Sequence, residues 1–116
     1  MKTWTAQMRK GLVELAVLAA LREGEAYGYQ LLQRINRLDS FALTESTVYP
    51  LLARLTRDKR VKVRVGPSPH GPPRRYYQLT AKGKAHLRDM TQHWHDLTAS
   101  VDRLLQGSRD DDHDSR

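Results

Sequence analysis

At 116 residues the chain is sized for a single domain with a modest core, one that a second chain would help to complete. It has no cysteine, which excludes a disulfide framework and any thiolate metal site; no segment approaches 18 consecutive apolar residues and the N-terminus lacks an apolar run ahead of a cleavage site, so a cytoplasmic protein is expected. The net charge of +7 is unevenly placed: residues 107–116 carry −2, and ten basic residues against one acidic fall between Arg54 and Lys84. A patch so concentrated suits phosphate neutralisation better than general solubility.

Residues 1–10 are mixed in character and read as an N-terminal arm whose Trp4 packs onto the protein or a partner. GLVELAVLAAL (11–21) is apolar nearly all round and predicts a buried central helix, with Gly24 placed to end it in the left-handed conformation. EAYGYQLLQRINRL follows, with Gly28, Leu31, Leu32, Ile35 and Leu38 at helical spacing. Here Gln30, Gln33, Arg34 and Arg37 point away, and Gly28 allows another backbone to approach. Tyr27 and Tyr29 suit phosphate contact and ordinary packing about equally. Asp39–Leu43 reads as a short connection.

The third helix, TESTVYPLLARLTRDK (44–59), starts at an N-cap Thr44 and buries Val48, Leu51, Leu52 and Leu55. Its opposite face carries Ser46, Thr47, Pro50, Ala53, Arg54 and Arg57, with Tyr49 on the flank and Glu45 as its lone carboxylate. A solvated face normally mixes both charge signs, so this one reads as a DNA-reading helix, the second member of a helix-turn-helix. Period-two segments follow at VKVRV and RRYYQLT around the loop GPSPHGPP, a hairpin too long-looped for a tight turn and edged by Arg64, Arg74 and Arg75. A basic hairpin after a helix-turn-helix is the wing of a winged helix.

Thr80 caps a fourth helix in which Leu87, Met90, Trp94, Leu97, Val101 and Leu104 repeat at spacings of 3, 4, 3, 4, 3. That heptad seam predicts dimerisation through the same helix of a second copy. Residues 107–116 lack apolar content and are expected to be disordered. The expected fold is therefore mainly α with a small β-hairpin: a winged helix-turn-helix over 1–79, a long C-terminal dimerisation helix over 80–106, and an acidic tail. Under this reading Arg54, Arg57, Lys59, Arg60, Arg64, Arg74 and Arg75 mostly neutralise phosphates, while Ser46, Thr47 and Tyr49 meet base edges. A two-fold dimer would read double-stranded DNA as a pseudo-palindromic operator.

No enzymatic chemistry is legible. His86, His93 and His95 read as solvated helix residues, since His93 and His95 lie about 200° apart on the helix wheel. No paired-carboxylate motif, HExxH or Gly-rich phosphate loop occurs, so no catalytic residue, metal or cofactor is assigned. A non-specific nucleic-acid-binding basic protein without an effector is the alternative.

The ordered motifs GLVELAVLAALREG, AYGYQLLQRI, TESTVYPLLARL and GPPRRYYQLTAKG resemble the successive signatures of PadR-type transcriptional regulators over roughly residues 9–106. The single helix after the wing resembles the short subgroup of that family. The resemblance implies a homodimeric winged-helix repressor released from DNA by a small molecule. It matches Ser46, Thr47 and Tyr49 to the start of the recognition helix, Tyr27 and Gly28 to the second-helix motif, and Arg74, Arg75 and Tyr76 to the base of the wing. It also implies that Trp94, with Met90 and Leu97 beside it, lines an inter-subunit site for a flat aromatic effector; from the residues alone Trp94 is equally a large interface knob. Lys59-Arg60 departs from the family's usual Gly-Leu after the recognition helix, and a left-handed Lys there would cost on the order of 1 kcal/mol. Pro50 agrees with the family and should bend the helix.

Overall fold

The first helix, α1, runs unbroken over Lys2–Leu21, so the expected N-terminal arm is its opening half. This computed structural model describes residues 2–38 and 41–114, with side chains described for 3–38 and 41–107. Residues 2–10 contain neither Gly nor Pro, and each one joining a helix already nucleated adds a hydrogen bond. Trp4 and Met8 accordingly stay exposed, and burial begins near Val13. Gly24 ends the helical segment at φ 131°, which a side chain would disfavour, with its N–H donating to the Leu21 carbonyl at 3.1 Å. Arg34, expected to point away, instead donates to the carbonyls of Ala20, Gly24 and Glu25, bracing the end of α1 and the turn that follows it.

Ala26–Tyr27 form a two-residue strand, β1, and α2 follows over Gly28–Asn36. Asp39 and Ser40, which open the expected connection, lie outside the described residues. The connection is nevertheless held closely, because Asn36 Nδ2 donates to the Leu43 carbonyl while Leu43 N–H donates to Asn36 Oδ1, both at 2.9 Å. α3 spans Glu45–Arg57. Thr44 is its N-cap through its extended backbone and its carbonyl, which accepts from Thr47 and Val48; its hydroxyl bonds Ser46 Oγ rather than a helix N–H.

The wing consists of β2 (Val61–Ser68) and β3 (Gly71–Leu79), and the sheet order is β1-β3-β2, all antiparallel. Its loop is shorter than expected: Ser68 pairs with Gly71, leaving only Pro69 and His70 between the strands. Of the prolines that suggest a long loop, Pro67, Pro72 and Pro73 fall at a register shift between Gly66 and Ser68, where a missing N–H is tolerated, and Pro69 sits in the turn.

α4 starts at Ala81 and continues through Asp114, so the expected disordered tail is helical as far as that residue. Extending a formed helix requires fixing only one more residue per hydrogen bond. Ser115 and Arg116 lie outside the described residues.

All four helices and one sheet face meet in one core of Val17, Leu18, Leu31, Leu52, Leu55, Val61 and their neighbours. Leu87 of α4 is 4 % exposed and belongs to this core, with Met90 packed on its edge. Leu87 thus packs within its own chain, unlike the later positions of the stripe. Among the described residues, no helix is long and apolar enough to cross a membrane.

Candidate nucleic-acid interface

The helix-turn-helix exposes the outer side of α3, with Val48, Leu52 and Leu55 fully buried beneath it. Ser46, Thr47, Tyr49, Pro50, Ala53 and Arg57 all lie on that outer side. α3 ends in a Schellman arrangement: Lys59 N–H donates to the Thr56 carbonyl and Arg60 N–H to that of Leu55. Lys59 adopts φ 63°, so the helix ends as it would with glycine, but with an exposed ammonium at the cap.

The carbonyls around this cap dock α4. The Thr80 hydroxyl donates to Lys59 O at 2.7 Å, Thr80 N–H to Arg60 O at 3.1 Å, and Lys82 Nζ to Asp58 O at 3.0 Å. The same Thr80 oxygen accepts from Gly83 N–H, capping α4. A Cβ on Gly83 would overlap the Arg60 carbonyl, so glycine is what allows this contact. The two helices are joined with almost no slack.

The arginines divide into two groups. Arg54 turns inward, donating to Glu14 of α1 at 2.6 Å and lying 3.7 Å from Asp58. Arg64 is paired with Glu25 at 2.5 Å and lies over the Tyr76 ring at 4.6 Å. Arg60 lies half-buried beneath the α3–α4 junction. By contrast Arg57, Lys59 and Arg75 are exposed, and no ion pair engages them among the described residues. Lys62, beside Arg64 on β2, joins this free group. Sequence reading left it out of the site, although its alternation with Val61 and Val63 was the available signal.

Tyr27 and Gly28 have positions that favour organisation over direct contact. Tyr27 and Tyr76 form a T-shaped pair, centroids 5.8 Å apart, and the Arg74 guanidinium lies over the Tyr27 ring at 4.1 Å. The outer sheet face thus holds an interlocked set of Tyr27, Tyr76, Arg64 and Arg74, each cation resting on a ring. Tyr76 also donates to the Pro67 carbonyl, tying the wing strands together. Gly28 is buried, and a Cβ there would overlap the Tyr49 ring, so it seats Tyr49 between α2 and α3.

Electrostatics follow the same division. Burial pushes the Glu14 carboxyl up, but hydrogen bonds and charge from Arg54 and His86 outweigh it and hold the group below its ordinary pKa. His86, expected to be solvated, is half-buried with Nε2 2.9 Å from Glu14, so this carboxylate joins α1, α3 and α4. The bond from Arg64 holds Glu25 low. Burial, then Glu45 and Tyr77, raise the Tyr49 phenol. No group of histidines and carboxylates that could hold a metal occurs among the described residues.

Beyond the body, α4 presents Trp94, Leu97, Val101, Leu104 and Leu105 uncovered. Trp94 also edges an apolar groove of about 700 Å³ that includes Met8, Leu12, Leu15, Ile35 and Phe41. Trp94 and Leu97 are available to a second chain or a ligand, whereas Met90 is partly drawn into the core.

Comparison with known proteins agrees with this arrangement. Residues 17–89 match the model of the transcriptional regulator PadR-like family. A PadR family transcriptional regulator from Eggerthella lenta has a similar structure, with TM-score 0.81, 31 % identity, and 90 % of each chain covered. A PadR-like transcriptional regulator from Bacillus cereus gives TM-score 0.77 and 35 % identity, over 86 % of this chain and 97 % of that one. Bacillus subtilis PadR, solved in complex with operator DNA, aligns at TM-score 0.64 and 27 % identity over 69 % of this chain and 45 % of its own.

Proposed function

The chain belongs to the PadR-like family of transcriptional regulators, and from that premise we propose a homodimeric, sequence-specific DNA-binding repressor relieved by a small aromatic effector. The family is one of regulators, which sets an enzymatic reading aside. One observation carries the DNA reading furthest. Glu14 and Glu25 are taken up by internal pairs, while Arg57 and Lys59 at the end of α3 and Lys62 and Arg75 on the wing strands remain exposed, as do Ser46 and Thr47 at the start of α3. That combination suits a polyanion with readable edges. The operator complex of the Bacillus subtilis relative lends it support.

Each residue has a role in this reading. Ser46, Thr47 and Tyr49 approach base edges at the N-terminal end of α3. Arg57, Lys59, Lys62 and Arg75 neutralise phosphates, and Arg74 does so from its seat on Tyr27. Arg54, Arg60, Arg64, Gly28 and Tyr76 position these groups. Two copies associate through Trp94, Leu97, Val101 and Leu104, whose exposure is otherwise costly in water. A flat aromatic effector stacks on Trp94 in the interface groove, and its binding is linked to the spacing of the two reading helices.

The test is a titration of the protein with duplex from its own upstream region beside random duplex of equal length, at about 150 mM salt. A preference of about 4 kcal/mol or more is expected. Equal affinity for both would favour a basic protein that binds nucleic acid without specificity or effector.

A further inference from the structure

The junction of α3 and α4 carries more positive charge than its own fold uses. Arg57 and Lys59 at the end of α3, Lys62 at the start of β2 and Lys82 in the first turn of α4 are all exposed, and no ion pair engages them among the described residues. Hydrogen bonds hold the two helix ends together: Lys82 Nζ donates to Asp58 O at 3.0 Å, and the Thr80 hydroxyl to Lys59 O at 2.7 Å. The carboxylate of Asp58 lies 3.7 Å from Arg54 and is engaged there. Two adjacent cations also run against the stability of the isolated chain. Lys59 holds φ 63°, where glycine is favoured over any side chain. The half-buried Arg60 beside it encloses its Nε without a hydrogen-bond partner, which costs free energy. An anionic partner accounts for cations kept at such positions better than the fold does.

We propose that this junction is a phosphate anchor shared by the two helices, in which Lys59 and Lys82 together hold the DNA backbone beside the bases that α3 reads. The inference rests on the DNA reading above and adds a contact from α4, the helix assigned there to dimerisation. Geometry limits what the anchor can touch. The end of α3 lies about 17 Å along the helix from Ser46, twice the major-groove depth of roughly 8.5 Å. With the N-terminal end of α3 in the groove, the cap stands back from it, where phosphates and no base edges are presented. Arg57 makes the patch continuous with the outer side of α3, so the nearest anion is the backbone of the same duplex. Lys82 can take part because an ammonium has further N–H donors beyond the one bonded to Asp58 O.

The anchor gives DNA a direct hold on α4. A phosphate bound by Lys59 and Lys82 together fixes the setting of α4 against α3, so that occupancy of the operator and the geometry of the dimer seam are linked, and the linkage is reciprocal. It needs neither Trp94 nor an effector.

Hydroxyl-radical footprinting and salt titration of the full chain, on duplex from its own upstream region, test the proposal. The wild-type protein should protect a central stretch and flanking sugar–phosphates on either side of it. Lys59→Gly and Lys82→Gln should each lose the outermost protection, keep the centre, and lower the salt slope by about one unit. Lys59→Gly should at the same time raise the melting temperature by roughly 3 °C, which separates a lost contact from a lost fold. Arg103→Gln removes an equal charge about 31 Å farther along α4, well beyond a Debye length of about 8 Å, and should change neither slope nor footprint. Footprints and slopes that stay unchanged in Lys59→Gly and Lys82→Gln, or an equal drop in slope in Arg103→Gln, would overturn the anchor. No protection by the wild-type protein would overturn the DNA reading itself, and the anchor with it.

Discussion

The two halves of α4 carry the same heptad spacing and meet different fates. Up to Met90 the apolar positions close the chain's own core, with Leu87 at 4 % exposure. From Trp94 onward they are uncovered, with Leu97 at 64 % and Leu104 at 75 %. A periodic stripe therefore shows that a helix packs along its length, but not whether it packs against its own chain or another. The division falls where the winged domain ends and leaves the helix without neighbours.

Breaking the distal half should give the largest effect. In the proposed dimer, Val101→Asp with Leu104→Asp places four unpaired charges in the seam, at a cost on the order of 5 kcal/mol. Sedimentation should report monomers with unchanged helical content, and a dimer that persisted would move the interface elsewhere. The proximal half should respond in the opposite way. Leu87→Ala is expected to lower unfolding free energy by about 2–5 kcal/mol in denaturant titration, without specifically weakening association. A loss of dimer at unchanged stability would place Leu87 back in the seam.

A smaller effect probes the carboxylate that ties α4 to α1 and α3. The Glu14 pKa is held below the usual carboxylate range, so its contribution is present above that range and disappears as pH falls through the depressed value. Glu14→Gln should cost about 1 kcal/mol near neutrality, with melting temperatures converging on wild type once the pH has fallen through the depressed Glu14 pKa. A constant difference across pH would mean that packing, not charge, holds the three helices. The smallest effect separates the two arginine groups. Arg57→Ala should reduce the salt dependence of DNA binding by about one unit of slope, whereas Arg54→Ala should leave the slope unchanged and lower stability. Equal slopes for the two variants would remove the distinction between paired and free cations.

Much of the fold was legible because local signals decided it. The helical stripes, the period-two wing strands, Gly24 and the Thr80 cap each follow from a few neighbouring residues. Lys59 ran the other way: its departure from the family's glycine suggested a different helix end, yet it adopts the left-handed φ. Features set across the chain were not legible. Arg54 and Arg64 read as phosphate contacts until the fold brings Glu14 and Glu25 to them, from 40 and 39 residues away. β1 is two residues long, too short for any period to register, and exists because β3 pairs with it. Prolines in the wing read as loop punctuation, whereas the strands absorb them at an irregularity in register. Gly28 read as a place for a second backbone to approach, whereas it accommodates the Tyr49 ring, and Gly83 carried no local signal of the carbonyl beside it.

The tight junction between the α3 cap and the start of α4 makes the two helices one lever. Thr80 lies fourteen residues before Trp94, a span of about 21 Å at 1.5 Å per residue. A pivot of roughly 10° at Trp94 would carry the end of α3 by nearly 4 Å, about the rise of one base pair. With no slack to absorb the swing, a modest tilt in the seam of a dimer would shift a reading helix by a full step along the groove.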